Sequence, residues 1–245
     1  MKKLMILAIG LALCCTMQAQ NNSSEQSSVT QDSQKDRPVY VSLGGGLEFG
    51  DCTFRSLSDR GSALGWDGTI AVGYRFSDLF SLEVNVTYGE VNTKAMSCCN
   101  YRLTLDGERK TAANPETDSW NYFDIKSKTA LKKYMIQGNF NVLSFIDDCP
   151  LSFDIAPQLG LVATTTTHNG PLHSTGVMTS KRYDKQYHFA AGGAGILGYA
   201  INDLVGIRAY GSIDCLFGQR FDNIPEYVHN ENFIFDFGIG VVLSF

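Results

Sequence analysis

The chain has 245 residues, with 20 lysines and arginines against 25 aspartates and glutamates, and a formal net charge of −5. Because no stretch is strongly basic, the composition argues against nucleic acid as a partner. The 24 glycines and the many aromatic residues (15 Phe and 11 Tyr), set against six prolines, favour an all-β chain with close backbone contacts.

The N-terminus has the pattern of a cleaved secretory signal peptide. Lys2 and Lys3 precede an apolar run, residues 4–15, that is too short to span a bilayer as a helix. Ala19 supplies a small residue for cleavage, so we expect residues 1–19 to be removed. Loss of the two lysines leaves 18 basic and 25 acidic residues, a net charge of −7.

A lipoprotein signal that acylates Cys14 or Cys15 is the alternative, but Leu13 stands where a small residue is normally required. No later apolar run approaches about 18 residues, so no transmembrane helix is expected. Residues 20–37 are rich in Ser, Gln and Asn and have little to bury. This composition predicts a disordered periplasmic segment ahead of one domain, residues 38–245.

Alternation of apolar and polar side chains predicts eight strands in that domain. The expected ranges are Val39 to Gly50, Trp66 to Phe76, Phe80 to Val91, Leu131 to Phe145, Leu151 to Val162, Tyr187 to Ile201, Leu204 to Cys215 and Asn232 to Phe245. Each has about the length that a tilted strand needs to cross the hydrocarbon layer. The sixth is rich in Gly and Ala, and its facing cannot be assigned from the pattern.

Short and long connections alternate between these strands. The short ones are residues 77–79, 146–150 and 202–203, and the long ones are 51–65, 92–130, 163–186 and 216–231. Short periplasmic turns and long external loops alternate in outer-membrane barrels, so the pattern predicts that both termini are periplasmic. In the loop 92–130, residues 101–105 and 122–125 alternate weakly, and Asp106–Gly107 between them is a turn signal, so we expect the third and fourth strands to continue as a hairpin beyond the membrane.

Aromatic side chains are expected at both membrane interfaces. The outer girdle would hold Phe49, Trp66, Tyr88 and Tyr134, and the inner one Phe76, Phe80, Phe145 and Phe245. The last strand carries an unbroken apolar face and ends on a phenylalanine. It resembles the C-terminal strand by which bacterial outer-membrane barrels are recognised and inserted, with the signal on Phe237, Ile239, Val241, Leu243 and Phe245.

With these features the chain resembles the small outer-membrane β-barrel proteins of Gram-negative bacteria, those related to the OmpA transmembrane domain and the PorT-like barrels. The resemblance covers about Val39 to Phe245. It implies a closed antiparallel eight-stranded up-and-down barrel in the outer membrane, in contact with lipid and inserted by the barrel-assembly machinery. It does not imply one biochemical role, because this fold hosts adhesins, enzymes and structural anchors.

An eight-stranded barrel is so narrow that side chains fill its interior, which disfavours a general porin. The inward faces of the predicted strands carry seven charged residues: Glu48, Arg75, Glu83, Asp154, Arg208, Asp214 and Asp236. Buried charges must be paired, hydrogen-bonded or hydrated, so we expect a structural network that closes the lumen. The alternative is a gated or proton-conducting path.

The four histidines, His168, His173, His188 and His229, suggest no catalytic motif. His173 precedes Ser174, and a histidine beside a hydroxyl is conceivable as a lipid-modifying group at the outer rim. We expect all four to be exposed and non-catalytic, and the protein not to be an enzyme. No cofactor is expected, nor a metal, because the Cys and His spacings match no zinc motif.

Two further features leave alternatives open. Cys52 in the first loop could form a disulfide with Cys98 or Cys99 in the second, since export permits disulfides. Pro157 lies inside the fifth predicted strand beside the Gly- and Ala-rich sixth, where we expect a bulge. The alternative there is a lateral opening or a flat docking face.

The sequence therefore favours a structural or interaction protein that acts through its extracellular loops, as an adhesin or an accessory subunit of an envelope assembly. An outer-leaflet lipid-modifying enzyme and a narrow channel remain the alternatives.

Overall fold

A computed structural model describes residues 37–58, 61–95, 101–111, 119–146, 150–218, 221–224 and 232–245. The predicted signal peptide and residues 20–36 of the predicted periplasmic segment lie outside these ranges. So do Cys98, Cys99, Cys149 and His229. No helix within the described ranges is long and apolar enough to span a bilayer.

The described residues form fourteen strands and one short 3-10 turn, Tyr122–Asp124. The strands are β1 Val39–Asp51, β2 Leu57–Ser58, β3 Gly61–Ser62, β4 Trp66–Arg75, β5 Phe80–Lys94, β6 Tyr101–Thr104, β7 Arg109–Thr111, β8 Ser119–Asn121, β9 Lys126–Asn141, β10 Leu151–Pro171, β11 Met178–Arg182, β12 Gln186–Ala200, β13 Val205–Phe217 and β14 Asn232–Ser244.

Eight long strands form a closed antiparallel barrel in the order β1-β4-β5-β9-β10-β12-β13-β14. Closure is made by β14, which pairs with β13 on one side and with β1 on the other, from Tyr40↔Ser244 to Asp51↔Phe233. Every strand of this ring has two neighbours, so the barrel has no open edge to aggregate. The predicted fold class is confirmed, and each predicted strand corresponds to one long strand.

Apolar side chains cover the outer surface of the barrel and polar ones face the lumen, because successive strand residues point to opposite sides. The outward side chains of β14 and of the residue that follows it, Phe237, Ile239, Val241, Leu243 and Phe245, are 39–74 % exposed. We call the end that holds Val39 and Phe245 the terminal end, and the opposite one the loop end.

Aromatic rings mark both edges of the apolar band. Trp66 and Tyr88 contact edge-to-face at the loop end, with ring centroids 5.9 Å apart. Phe76 and Phe80 stack at the terminal end, with centroids 5.7 Å apart. These contacts delimit the membrane-spanning part of the barrel.

Three strands extend past that band at the loop end. β5 and β9 stay paired as far as Lys94↔Lys126, and β10 continues to Pro171. The expected projecting hairpin is therefore present. Residues 122–125, expected to alternate as a strand, instead include the 3-10 turn. Asp106–Gly107 does form a turn, between β6 and β7, where Gly107 has the left-handed φ of +85°.

The bulge expected at Pro157 is absent. Pro157 pairs in register with Gly193 of β12, in an unbroken ladder. The interruption lies on the other side, where the pairs between β10 and β9 stop at Ile155↔Phe140 and resume at Gln158↔Gln137. Between these two pairs β10 and β9 each advance by three residues, so neither strand contains the extra residue of a bulge. Only ladder hydrogen bonds are missing, because Pro157 has no N–H to donate.

Candidate functional site: a filled lumen beneath a packed cap

A single lysine lies at the centre of the charged lumen. Lys133 of β9 is 2 % exposed, and its ammonium group forms an ion pair with the carboxylate of Asp236 on β14. Its Nζ also lies 3.2 Å from Glu48 Oε1 and 3.7 Å from Asp214 Oδ2. Gln158 Nε2 donates to the other oxygen of Asp214 at 2.6 Å. One ammonium group thus faces three buried carboxylates.

A second ion pair lies closer to the terminal end. Arg208 of β13 donates from Nη1 to Glu83 Oε2 at 2.7 Å and from Nη2 to Glu83 Oε1 at 3.3 Å. This two-pronged geometry fixes the orientation of both side chains. Glu83 is 1 % exposed, so the pair is shielded from bulk water.

Below that pair a cavity of about 310 Å³ opens at the terminal end. Arg75 and Asp154 line it, together with Tyr40, whose ring lies 4.6 Å from the Arg75 guanidinium carbon. Arg75 Nη1 donates to Ser244 Oγ at 3.1 Å. Close approach of Tyr40 to β4 requires Gly73, because a Cβ there would lie 2.0 Å from the Tyr40 ring.

The seven charged residues singled out from the sequence therefore all face the lumen, but in separate groups. Glu48, Asp214 and Asp236 surround Lys133, Glu83 binds Arg208, and Arg75 and Asp154 line the cavity. Sequence reasoning missed Lys133, the centre of the largest group. It also missed Asp67, which accepts a hydrogen bond from the Tyr210 hydroxyl at 3.3 Å.

An apolar layer closes the lumen above the charges, toward the loop end. Its members are buried residues that face inward from six of the eight barrel strands or from the adjoining loops: Cys52, Val91, Leu131, Met135, Val162, Ala190, Leu216, Phe221 and Ile234. The Cys52 thiol donates to Asn232 Oδ1 at 2.6 Å within this layer. Ions and water cross such a dry layer only at high free-energy cost.

Phe221 enters this layer from the last long loop. A Cβ at Gly50 would lie 2.7 Å from its ring, so the glycine makes room for the phenylalanine. The carbonyl of Phe221 accepts a hydrogen bond from Thr166 Oγ1 at 2.6 Å. The next residue, Asp222, accepts from the backbone N–H of Phe54 at 3.0 Å. The loop is thereby attached to β10 of the barrel and to the connection that follows β1.

A second hydrophobic core lies above the apolar layer, and we call this part of the molecule the cap. Its buried members are Phe54, Ala95, Leu103, Trp120, Tyr122, Ile125 and Ile224. They come from three of the four long connections, and a three-stranded sheet, β7-β6-β8, supports them. Phe54 and Tyr122 contact edge-to-face with centroids 5.0 Å apart. These seven loop residues are thus packed against one another rather than extended into solvent.

The expectation that the histidines are exposed is wrong for two of them. His168 belongs to β10 and is 0 % exposed, surrounded by the rings of Phe54, Trp120 and Tyr183. His188 faces the lumen from β12, with Nε2 3.0 Å from Thr164 Oγ1. β10 continues past its predicted end, so His168 lies on a strand that the cap covers. His188 lies within its predicted strand but faces inward, so the lumen encloses its ring. Burial lowers the pKa of His168 to about 4.

His173 is exposed, and its Nδ1 lies 3.0 Å from Asn121 Oδ1. The amide oxygen of Asn121 therefore orients the ring. No three His, Cys, Asp or Glu side chains converge as a metal centre among the residues that can be described.

No family model and no curated protein matches the chain. Several solved structures have a similar fold. A major outer membrane protein from Thermus thermophilus is 10 % identical, with a TM-score of 0.45 over 84 % of this chain and 99 % of that one. The attachment invasion locus protein Ail of Yersinia pestis is 11 % identical, with a TM-score of 0.42 over 85 % and 99 %.

Neisserial surface protein A is 17 % identical, with a TM-score of 0.37 over 84 % of this chain and 97 % of the other. Similarity at this level concerns the fold alone. The chain itself is a closed antiparallel barrel of eight strands with an apolar outer band, an architecture similar to that of small outer-membrane barrels.

Proposed function

We propose that the protein is a surface interaction protein: a sealed barrel that anchors a rigid cap outside the cell, as an adhesin or as an accessory subunit of an envelope assembly. The observation that carries this proposal is the separate hydrophobic core of the cap, with Trp120, Phe54 and Leu103 each 0 % exposed. A packed surface loses little conformational entropy when it binds a partner.

The proposal includes an orientation. The terminal end faces the periplasm and the cap faces outward, since the long connections are all at the loop end. The apolar outward residues of β14 then serve as the signal for the barrel-assembly machinery. Protease treatment of intact cells tests this orientation: cleavage confined to the cap supports it, and cleavage only after the envelope is permeabilised contradicts it.

Transport through the lumen has little support. The apolar layer around Phe221 and Val91 lies between the cavity at the terminal end and the cap, and both side chains are 0 % exposed. Planar-bilayer recordings of the purified protein should therefore show no stable conductance. A steady open channel from the native protein would replace the interaction role with a pore.

The interaction itself is tested by placing a photo-crosslinking residue at Val177 or Met178, which are 58 % and 68 % exposed at the tip between β10 and β11. The matched control is Leu159, an outward residue of the lipid-facing wall. We expect one defined protein to be captured in intact cells from the tip positions and not from Leu159. Capture of lipid alone from all three positions would refute the proposed role.

A further inference from the structure

Two charged side chains line the cavity at the terminal end, and neither has a counter-ion among the residues that the structure describes. Arg75 ends β4, and Asp154 lies near the start of β10, three strand-to-strand steps away around the ring. Their charges interact electrostatically, but the two side chains form no direct ion pair. Both are partly exposed. A positive and a negative group are thus held apart on two walls of one cavity of about 310 Å³.

The guanidinium group of Arg75 is fixed in place but keeps donors that are not used. Its Nη1 donates to Ser244 Oγ at 3.1 Å and to the backbone carbonyl of Arg37 at 3.2 Å, which accounts for both Nη1 hydrogens. Nε and Nη2 have no hydrogen-bond partner within the described part of the chain. These two nitrogens form the edge of a guanidinium group that binds a carboxylate through two parallel hydrogen bonds.

Asp154 supplies the complementary charge. Its carboxylate accepts no hydrogen bond from any residue with a described position. A partly buried carboxylate needs donors, from water or from a ligand. Arg208, which also lines the cavity, is already bound to Glu83 through both Nη atoms. The Asp154 carboxylate therefore remains available to a cationic group that enters the cavity.

The charge balance of the cavity favours a ligand with two opposite charges. Four charged residues line it: Arg75, Arg208, Asp78 and Asp154. Glu83 neutralises Arg208, and Asp78 lies exposed in the turn between β4 and β5. One unpaired positive and one unpaired negative charge remain. Arg75 would attract a simple anion that Asp154 repels, and a simple cation meets the reverse, whereas a zwitterion is attracted by both.

One wall of the cavity is ordered by its own hydrogen bonds. Asn139 Nδ2 donates to the Tyr40 hydroxyl at 3.1 Å and to Ser81 Oγ at 3.2 Å. Asn139 and Tyr40 are both buried, and the Tyr40 ring lies against the guanidinium group of Arg75. A wall that is already ordered loses little conformational entropy when a ligand binds.

We propose that this cavity binds a free amino acid in its zwitterionic form. The carboxylate of the ligand binds Nε and Nη2 of Arg75, and its ammonium group binds the carboxylate of Asp154. A volume of about 310 Å³ is at the lower end for small-molecule sites and suits a single amino acid better than a longer peptide. The site opens at the end opposite the cap, so binding does not depend on the cap or on its partner.

Isothermal titration calorimetry of the full-length mature protein in detergent micelles tests the proposal, with L-alanine as the probe at neutral pH. N-acetyl-L-alanine lacks the ammonium group, and L-alaninamide lacks the carboxylate. Each should bind at least about tenfold more weakly than L-alanine, because one hydrogen-bonded charge pair is lost. Tri-alanine, whose two charges are farther apart, should also bind more weakly.

Two variants assign each ligand charge to one residue. Asp154→Asn should bind L-alanine about tenfold more weakly and should lose its preference over N-acetyl-L-alanine. Arg75→Gln should weaken binding likewise and lose the preference over L-alaninamide. A structural defect alone would not exchange these two preferences. Because Asp154 bonds no described side chain, Asp154→Asn should fold normally and gives the decisive comparison.

The matched control is Arg182→Gln/Asp184→Asn, which removes the same two kinds of charge from exposed positions at the loop end. It should bind L-alanine as the native protein does. A gel-mobility shift on heating shows for each variant that the barrel has folded.

Absence of saturable L-alanine binding to the native protein would overturn the proposal. So would equal binding of L-alanine and its two analogues, because the cavity would then recognise neither charge. Tighter binding of tri-alanine would also overturn it, since the site would then take peptides. Equal weakening by the loop-end control and the cavity variants would assign the effect to the net charge of the protein and would equally contradict the site.

Discussion

Lys133 and Asp236 form an ion pair across the full width of the barrel. Lys133 belongs to β9 and Asp236 to β14, and four strand-to-strand steps separate these strands in either direction around the ring. The same relationship holds for Glu83 on β5 and Arg208 on β13. Both pairs therefore connect opposite walls, and each fixes the distance between two strands that share no backbone hydrogen bonds.

Replacing Lys133 by Met should destabilise the barrel by about 3–5 kcal/mol, because three buried carboxylates lose their common cation. The midpoint of unfolding in urea, followed by gel mobility without heating, measures this loss. Lys132→Met is the control, since Lys132 faces outward and its removal leaves the lumen intact. Adding Asp236→Asn to Lys133→Met should recover part of the lost stability, and no recovery would contradict the charge-balance explanation.

The Glu83–Arg208 pair should show strong energetic coupling. Glu83→Gln or Arg208→Gln alone leaves an unpaired charge in the lumen, at a cost of about 3 kcal/mol. The double variant removes both charges and should be less destabilised than the sum of the single variants by about 1–3 kcal/mol. Additive effects in this double-mutant cycle would mean that the two groups act independently.

Stability of the cap should decrease as the pH falls from about 6.5 to about 4. The unfolded cap binds a proton on His168 near pH 6.5, whereas burial lowers the folded pKa to about 4. Acidification in that window therefore favours the open cap, by up to about 3 kcal/mol. Two titratable groups lie beside the ring: Lys181, opposite on β11, and Tyr183, whose pKa burial raises to about 12.

Hydrogen exchange of backbone amides in β8 and β10 reports this opening. His168→Phe should remove the pH dependence, because the phenyl ring fits the aromatic surroundings and cannot be protonated. His173→Gln, at an exposed histidine of the same region, should leave it unchanged. An unaltered pH profile in His168→Phe would assign the effect to another group.

Truncation of Trp120 should separate the cap from the barrel. Trp120 is 0 % exposed in the cap core, so Trp120→Ala should cost the cap about 3–5 kcal/mol. The barrel should keep its mobility shift on heating, because Trp120 lies outside the ring of eight strands. Protease sensitivity of the cap should rise, and capture of a partner from Val177 should disappear. Loss of the heating shift would show that barrel and cap fold as one unit.

The barrel could be predicted from the sequence because the alternation of apolar and polar residues is a local signal. The alternation is more regular than in a soluble sheet, because every outward position faces lipid and is apolar. Lys133 was not predictable in the same way. It adjoins Lys132, and a pair of lysines before Tyr134 resembles a solvated strand end near the girdle. Only the ring order, which brings Asp236, Glu48 and Asp214 around it, gives this lysine its partners.

His168 was assigned to a loop for a similar reason. Residues 163–170 read Ala-Thr-Thr-Thr-Thr-His-Asn-Gly and contain almost no apolar side chains to alternate. The inward positions Thr164, Thr166 and His168 are nevertheless buried, because the cap and Phe221 cover them. Burial that depends on contacts distant in sequence leaves no periodic trace in the strand itself.

The placement of Asp236 on the last strand also affects the order of folding. Until β14 pairs with β1, Lys133 lacks one of its counter-ions, and the lumen of the unclosed sheet carries an incomplete charge set. A shift of one residue in that final pairing would point Asp236 into lipid and Phe237 into the lumen. The charge pairing therefore selects the register of the C-terminal strand. Only the native register both joins β14 to β1 and brings Asp236 to Lys133 on the opposite wall.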